Sequence, residues 1–268
     1  MSGMLLEYAG TLPLIVVGTL ASLVAGLATA VGAVPVLFGG TIGQRRQDTM
    51  LGFAAGVMLA ATAFSLVLPS VDSGAEVYGS RVVAGVVTGL AILAGAVGLS
   101  LLHHYAPHEH FIKGREGVDI GQLRRLWLFV IAITLHNFPE GLAVGVGFGG
   151  GDIPNGLALM TGIGLQNMPE GLAVALALRS ADYTRGRAFT VALATGLVEP
   201  IGGMIGIGAV SFSDPALPIG LALAGGAMLF VISHEIIPET HRRGSDMHAT
   251  AGLMVGFVTM MLLDVLLG

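Results

Sequence analysis

Residues 136–146 read HNFPEGLAVGV and residues 166–176 read QNMPEGLAVAL, two near-copies separated by thirty positions. Each places a polar trio, His136-Asn137-Glu140 and Gln166-Asn167-Glu170, inside an apolar run. On a helix, residues four apart share a face and residues three apart lie close to it, so each trio forms one polar stripe. Pro139 and Pro169 remove a helical hydrogen bond and crowd the carbonyls of Leu135 and Leu165. That leaves backbone oxygens beside the carboxyl groups and predicts a kink in each helix. Gly141 and Gly171 then permit close approach of a neighbouring helix. Only about six residues connect the two apolar runs, which makes these helices antiparallel neighbours. The motif is thus presented twice, in opposite directions.

The surroundings say what medium these helices occupy. Of 268 residues, 54% are apolar and 11% are charged, against about 25% charged in an ordinary soluble domain. The mean hydropathy of +0.84 is spread over the whole chain. Roughly 20 apolar residues span a bilayer, and eight such segments fall at about 12–34, 49–69, 82–102, 126–148, 155–178, 188–210, 217–238 and 249–267. The predicted fold class is all-α: a polytopic membrane protein of eight transmembrane helices forming one domain, residues 1–268. The 42 glycines fit helices packed through small residues. The net charge of −5 excludes a nucleic-acid partner; the lipid bilayer is the expected surrounding. With no cysteine, disulfides, thiolate nucleophiles and Cys-type metal sites are excluded. The N-terminal apolar run has no preceding Lys or Arg and is too long for a cleaved signal, so it is read as the first span.

Basic residues sort by loop. Arg45, Arg46, Lys113, Arg115, Arg124, Arg125, Arg179, Arg185, Arg187, Arg242 and Arg243 all lie in alternate loops, and Arg81 alone is on the other side. The positive-inside rule makes the first group cytoplasmic and both termini extracytoplasmic. The longest cytoplasmic loop, 103–125, carries His103, His104, His108 and His110 beside Glu109. It reads either as a loose collector of divalent metal or as a polar linker.

Glu140, Glu170 and Glu199 all sit near the centre of a span, where one carboxylate costs on the order of 3 kcal/mol and three repel. No Lys or Arg shares that depth, so protons or divalent cations must offset the charge. His136, the amides of Asn137, Gln166 and Asn167, and the thioether of Met58 in span two favour a borderline transition metal over calcium or magnesium. His234 and Glu235 lie about 9 Å further along span seven, on an exit route toward the cytoplasm. An enzymatic reading fails: 234–241, HEIIPETH, opens like a zinc-protease helix but has Pro238 where the second His is required. A proton-coupled carrier for a non-metal solute and a non-saturating metal channel are the alternatives.

The HNFPEG and QNMPEG pair, with the GLVEPIGG and SHEIIPETHR segments, resembles the ZIP (ZRT/IRT-like) metal transporters, most closely their bacterial GufA-like branch. The resemblance implies a bundle in which spans 1–3 and 6–8 are inverted repeats around spans 4 and 5. It implies a homodimer in a bacterial cytoplasmic (inner) membrane, with no prosthetic group. The implied substrate is zinc, with iron, manganese or cadmium, carried toward the cytoplasm. The implied site is binuclear: Met58, His136, Gln166 and Glu170 around one metal, and Asn137, Glu140, Asn167 and Glu199 around the other, with Glu170 bridging. His234 and Glu235 match release-path positions, and the His-bearing loop would receive or sense the ion. Some relatives have Asp where this chain has Asn167, which makes the second position less anionic here.

Overall fold

The structure, a computed structural model, describes residues 12–39, 43–105, 120–212, 215–238 and 246–267. Eight helical spans follow one another: α1 (Leu14–Leu37), α2 (Gln44–Ala60, Ala61–Val67 and Leu68–Tyr78, unbroken), α3 (Arg81–Tyr105), α4 (Ile120–Gly147), α5 (Ile153–Ser180), α6 (Arg185–Gly196 and Glu199–Ser211), α7 (Ala216–Val231 and Ile232–Ile236) and α8 (Asp246–Leu267). All the regular structure of the described residues is helical. Residues 106–119, most of the His-bearing loop, and 239–245, with Arg242 and Arg243, lie outside the described residues.

Seven of the helices are long and apolar enough to cross a membrane. The remaining one, α5, has 28 residues, but Asn155, Gln166, Asn167 and Glu170 dilute its apolar content. Those four side chains are buried, so α5 meets protein rather than lipid with its polar face. The outer helices show the converse: Val82, Val86, Leu90, Leu93 and Val97 of α3, and Met254, Val255, Val258 and Leu262 of α8, are exposed. In water such a surface would drive association; in a bilayer it is the proper solvent-facing side.

Several boundaries depart from expectation. α2 runs 34 residues from Arg45 to Tyr78, roughly 51 Å, and so outruns the hydrocarbon core at both ends. Pro139 and Pro169 sit inside continuous helices. The connection between α4 and α5 is a single 3₁₀ turn, Gly149–Gly151. Asp152 caps α5 by accepting the backbone N–H of Asn155 at 3.1 Å.

Packing divides the helices into two groups. In the first, α1 lies against α5 and α6, and α4 against α6. In the second, α2 lies against α8, and α3 against α7. Exchanging α1 with α6, α2 with α7, α3 with α8 and α4 with α5 maps α1–α5 onto α4–α6, α2–α8 onto α3–α7 and α1–α6 onto itself, the relation expected of inverted repeats. The exchange also matches the two π-helical turns, Ala61–Val67 in α2 and Ile232–Ile236 in α7. Glycine makes the contacts within each group possible. A Cβ on Gly171 would lie 1.9 Å from the Thr29 carbonyl oxygen, and one on Gly141 would lie 2.1 Å from that of Glu199. Gly26 and Gly196 face each other's carbonyls reciprocally, at 2.2 Å. In the second group a Cβ on Gly56 would lie 1.9 Å from Leu253 O and one on Gly226 would lie 2.0 Å from Ile92 O. Between the groups the character changes. Gly162 of α5 faces the thioether of Met260 from α8, and Gly149 faces Leu217 of α7. These neighbours are side-chain tips that can turn aside; a carbonyl in a helix cannot.

Glycine-mediated backbone contact therefore joins α1, α4, α5 and α6 into one unit and α2 with α8 and α3 with α7 into pairs, and side-chain contact joins the unit to the pairs and the pairs to each other. Gly56→Ala and Gly171→Ala should each cost about 1–3 kcal/mol by overpacking. Gly89→Ala, where a Cβ meets no atom within 4 Å, should leave stability unchanged or slightly raised. Thermal unfolding in detergent checks this, and equal melting temperatures for all three variants would contradict it.

Candidate functional site

The two motifs meet where the sequence reading puts them. His136, Asn137 and Glu140 of α4, Gln166, Asn167 and Glu170 of α5, and Glu199 of α6 are all buried, with Glu140, Gln166, Asn167 and Glu199 at 0% exposure. Such a set so far from solvent is exceptional, because ionisable and amide side chains enter an interior only when something compensates them.

Asn167 organises the cluster. Its side-chain amide donates to Glu199 Oε1 at 2.7 Å and to the Ala25 carbonyl of α1 at 2.9 Å. Its Oδ1 accepts from Gln166 Nε2 at 2.8 Å. One residue thereby ties α5 to α6 and α1. The close crossing of α1 makes this reach possible: a Cβ on Gly26 would lie 3.3 Å from Glu199 Oε1. Ser22 of α1 donates to Gly18 O at 2.9 Å and contacts Gly141 O at 3.2 Å. The helix that carries no ionisable site residue thus furnishes the cluster with its backbone wall.

Other polar atoms have no such partner. Both carboxylate oxygens of Glu140, both polar atoms of the Asn137 amide, Oε1 of Gln166 and Oε2 of Glu199 are buried and make no hydrogen bond among the described residues. A buried donor or acceptor left unmade costs about 1–3 kcal/mol, so several at one place point to a ligand that completes them. The orphaned atoms are five oxygens and one amide nitrogen; the oxygens, with the His136 imidazole nearby, form a donor set suited to a borderline divalent cation, and the amide N–H is left to a water or an anion. Among the described residues no three His, Asp or Glu side chains already converge to hold a metal.

The remaining expected residues lie at different places. Met58 of α2, 1% exposed, packs in the apolar cluster that includes Val57, Ala143 and Ile163. It comes from the other helix group and reaches the flank of the cluster just before the π turn, where Thr62 Oγ1 donates to the Met58 carbonyl at 2.8 Å. His234 is apart from the cluster, exposed in the π turn of α7, and its ring stacks on Phe230 with centroids 5.0 Å apart. Glu235 follows in the same turn.

Sequence reasoning missed three things. It treated span six as continuous, whereas α6 breaks at residues 197–198 and Glu199 opens the second segment with Pro200 beside it. The Glu-Pro step was the available signal, since Pro belongs in a first helical turn. A carboxylate there also faces the positive end of a half-helix inside the bundle. Nor did it single out the small-residue face of α1, Gly18, Ser22, Ala25, Gly26 and Thr29, readable as small residues at helical spacing. The third omission is polar contact between α2 and α8, where Ser65 Oγ donates to Asp264 at 2.8 Å; a lone serine and a near-terminal aspartate carry no spacing signal.

Comparison with known proteins gives the same answer from another direction. Residues 103–264 match the family described as ZIP Zinc transporter. The chain is 48% identical over 241 residues to Zinc transporter ZIPB of Bordetella bronchiseptica, covering 90% of this chain and 78% of that one. It is 47% identical over 253 residues to Zinc transporter GufA of Myxococcus xanthus, covering 94% and 99%. To human Zinc transporter ZIP11 the identity is 34% over 322 residues, covering 90% and 94%. Paired motifs on antiparallel helices, inverted repeats and these similarities agree: the chain belongs to the ZIP transporter family.

Proposed function

We propose that this protein carries zinc, with iron(II), manganese and cadmium as competing substrates, across a bacterial cytoplasmic membrane toward the cytoplasm. The observation that carries the reading is the set of orphaned buried oxygens on Glu140, Glu199, Gln166 and Asn137. A proton on a carboxyl group would neutralise its charge and donate to one amide oxygen, whereas one divalent ion neutralises two carboxylates and binds the amide oxygens of Asn137 and Gln166 at the same centre. The zinc transporters among the relatives support zinc as the ion.

On this reading His136, Gln166, Glu170 and Met58 surround one ion, and Asn137, Glu140, Asn167 and Glu199 a second position, with Glu170 between. Asn167 is already committed to Glu199 and Ala25, so the second position is the weaker and serves to orient Glu199.

The two helix groups suggest how the ion moves. All the proposed ligands except Met58 belong to α4, α5 and α6, which are joined backbone to backbone with α1. The group can shift as a unit against α2, α3, α7 and α8, taking the ion along, because side chains alone line the seam. Towards the end carrying Asp72 and Arg81 the path is shut by Leu66, Val146, Leu159, Ile163 and Leu221, all buried. Towards the other end, His234 and Glu235 of α7 receive the ion as it leaves. The basic residues Arg45, Arg46, Arg179, Arg185 and Arg187 gather at that end, which the positive-inside rule assigns to the cytoplasm. Both termini are then extracytoplasmic.

Zinc flux into proteoliposomes tests the proposal. Saturable entry is expected, with cadmium competing and magnesium not, and with at least a hundredfold loss in His136→Ala/Glu170→Ala. Entry equal to that of protein-free vesicles would overturn it and favour a non-metal solute. A second test uses Asn167→Asp, which replaces the amide that donates to Glu199 and Ala25. Without metal it should cost about 1–3 kcal/mol, and zinc should raise its melting temperature more than that of the unaltered protein. An equal zinc response would count against metal at this position.

A further inference from the structure

A cavity of about 310 Å³ opens at the end of the bundle opposite His234. Its wall comes from four helices and a turn: Pro69, Asp72, Ser73 and Glu76 of α2, Val146 and Gly147 at the end of α4, Gly149 of the 3₁₀ turn, Asp152 and Asn155 at the start of α5, and Leu217 and Leu221 of α7. Three of these helices also carry Met58, His136 and Gln166. From Asn155 to Gln166 is eleven residues, about 16 Å along the axis, so the cavity stands directly in line with the buried cluster. The apolar layer of Leu66, Leu159 and Ile163 separates the two.

The lining is chemically divided. Ser73 is occupied, its hydroxyl donating to Pro69 O at 2.7 Å. Asp72 pairs with Arg81 at 2.8 Å, which takes up the single basic residue that loop analysis assigns to this end. Among the described residues neither Glu76 nor Asp152 has a basic partner. Asp152 uses one oxygen to cap α5 and has a second to offer. The decisive residue is Asn155. It is 9% exposed, it lines the cavity, and its side-chain amide makes no hydrogen bond among the described residues. Its amide borders the open space of the cavity, where a water can pair with it, and the helix cap at this place does not need it, since the cap is made by its backbone N–H.

We infer that this vestibule is a separate binding site for a hydrated divalent cation, in which Glu76 and Asp152 supply the charge and Asn155 binds a coordinated water at the floor. The inference deepens the transport reading and rests on it. Size agrees: six waters at roughly 30 Å³ each occupy about 180 Å³, so an ion retaining its first shell fits the cavity. The site holds the ion before dehydration, and the buried cluster takes it after.

The test is steady-state zinc flux as a function of zinc concentration. Glu76→Gln/Asp152→Asn removes both charges, while asparagine keeps the helix cap. It should raise KM about five- to tenfold and hold kcat within twofold, and added salt should narrow the difference because exposed charges are screened. Asn155→Ala should raise KM two- to threefold by itself. Unchanged KM in the charge variant overturns the site. A KM effect of the charges with none from Asn155 also overturns it, since that is general attraction to an acidic face. If the unaltered protein moves no zinc, the transport reading fails on its own. The vestibule is then read by manganese(II) binding, followed by electron paramagnetic resonance, to detergent-solubilised protein carrying Glu140→Gln/Glu170→Gln. One weak site should disappear on adding Glu76→Gln/Asp152→Asn, and its persistence, or the absence of any such site beforehand, overturns the proposal.

Discussion

Three carboxyl groups, Glu140, Glu170 and Glu199, packed into an apolar bundle are the constraint on which the rest of this structure depends. Burying one ion is expensive, and burying three of like sign is more so. The protein meets part of the cost internally, through the Asn167 amide on Glu199 and the N-terminal end of a half-helix beneath it. What it leaves unmet is mostly of one kind: five oxygen atoms with a single amide nitrogen, on helices that glycine brings into backbone contact.

That locking explains the composition. The glycines that make the contacts are not distributed for flexibility; most sit in straight helices. They are where one helix lays its Cα against another's carbonyl, and weak Cα–H···O contacts recur at such crossings. Because a membrane offers no hydrophobic force between helices, close packing has to supply the cohesion. The same chemistry binds α1, α4, α5 and α6 together and pairs α2 with α8 and α3 with α7, and it gives way to side-chain contact where the first four helices meet the others. A divided seam and a site carried almost wholly by one group are two aspects of one arrangement.

The departures from regular helix follow the same division. The π turns in α2 and α7 fall at equivalent places of the two repeats, after Met58 and around His234. The break in α6 releases backbone groups beside Glu199. Irregular backbone inside a membrane bundle survives where it borders polar groups or a ligand path. In this chain all three irregularities do so.

Much was legible in the amino-acid order alone. The all-helical class and the number of spans follow from apolar run length, because a bilayer has a fixed thickness. The cytoplasmic side rests on the distribution of Lys and Arg. The polar stripes of α4 and α5 follow from helical period, so His136, Asn137, Glu140, Gln166, Asn167 and Glu170 could be named together before any coordinates. Only the tertiary structure decided what depends on distant segments meeting. That Asn167 spends its donors on Glu199 and Ala25, that α1 walls the site with its backbone, that α6 breaks at Glu199, and that Asn155 faces a vestibule are relations between helices far apart in sequence. Local periodicity records which side of a helix is polar; it carries no information about which carbonyl, on which other helix, will come to lie against it.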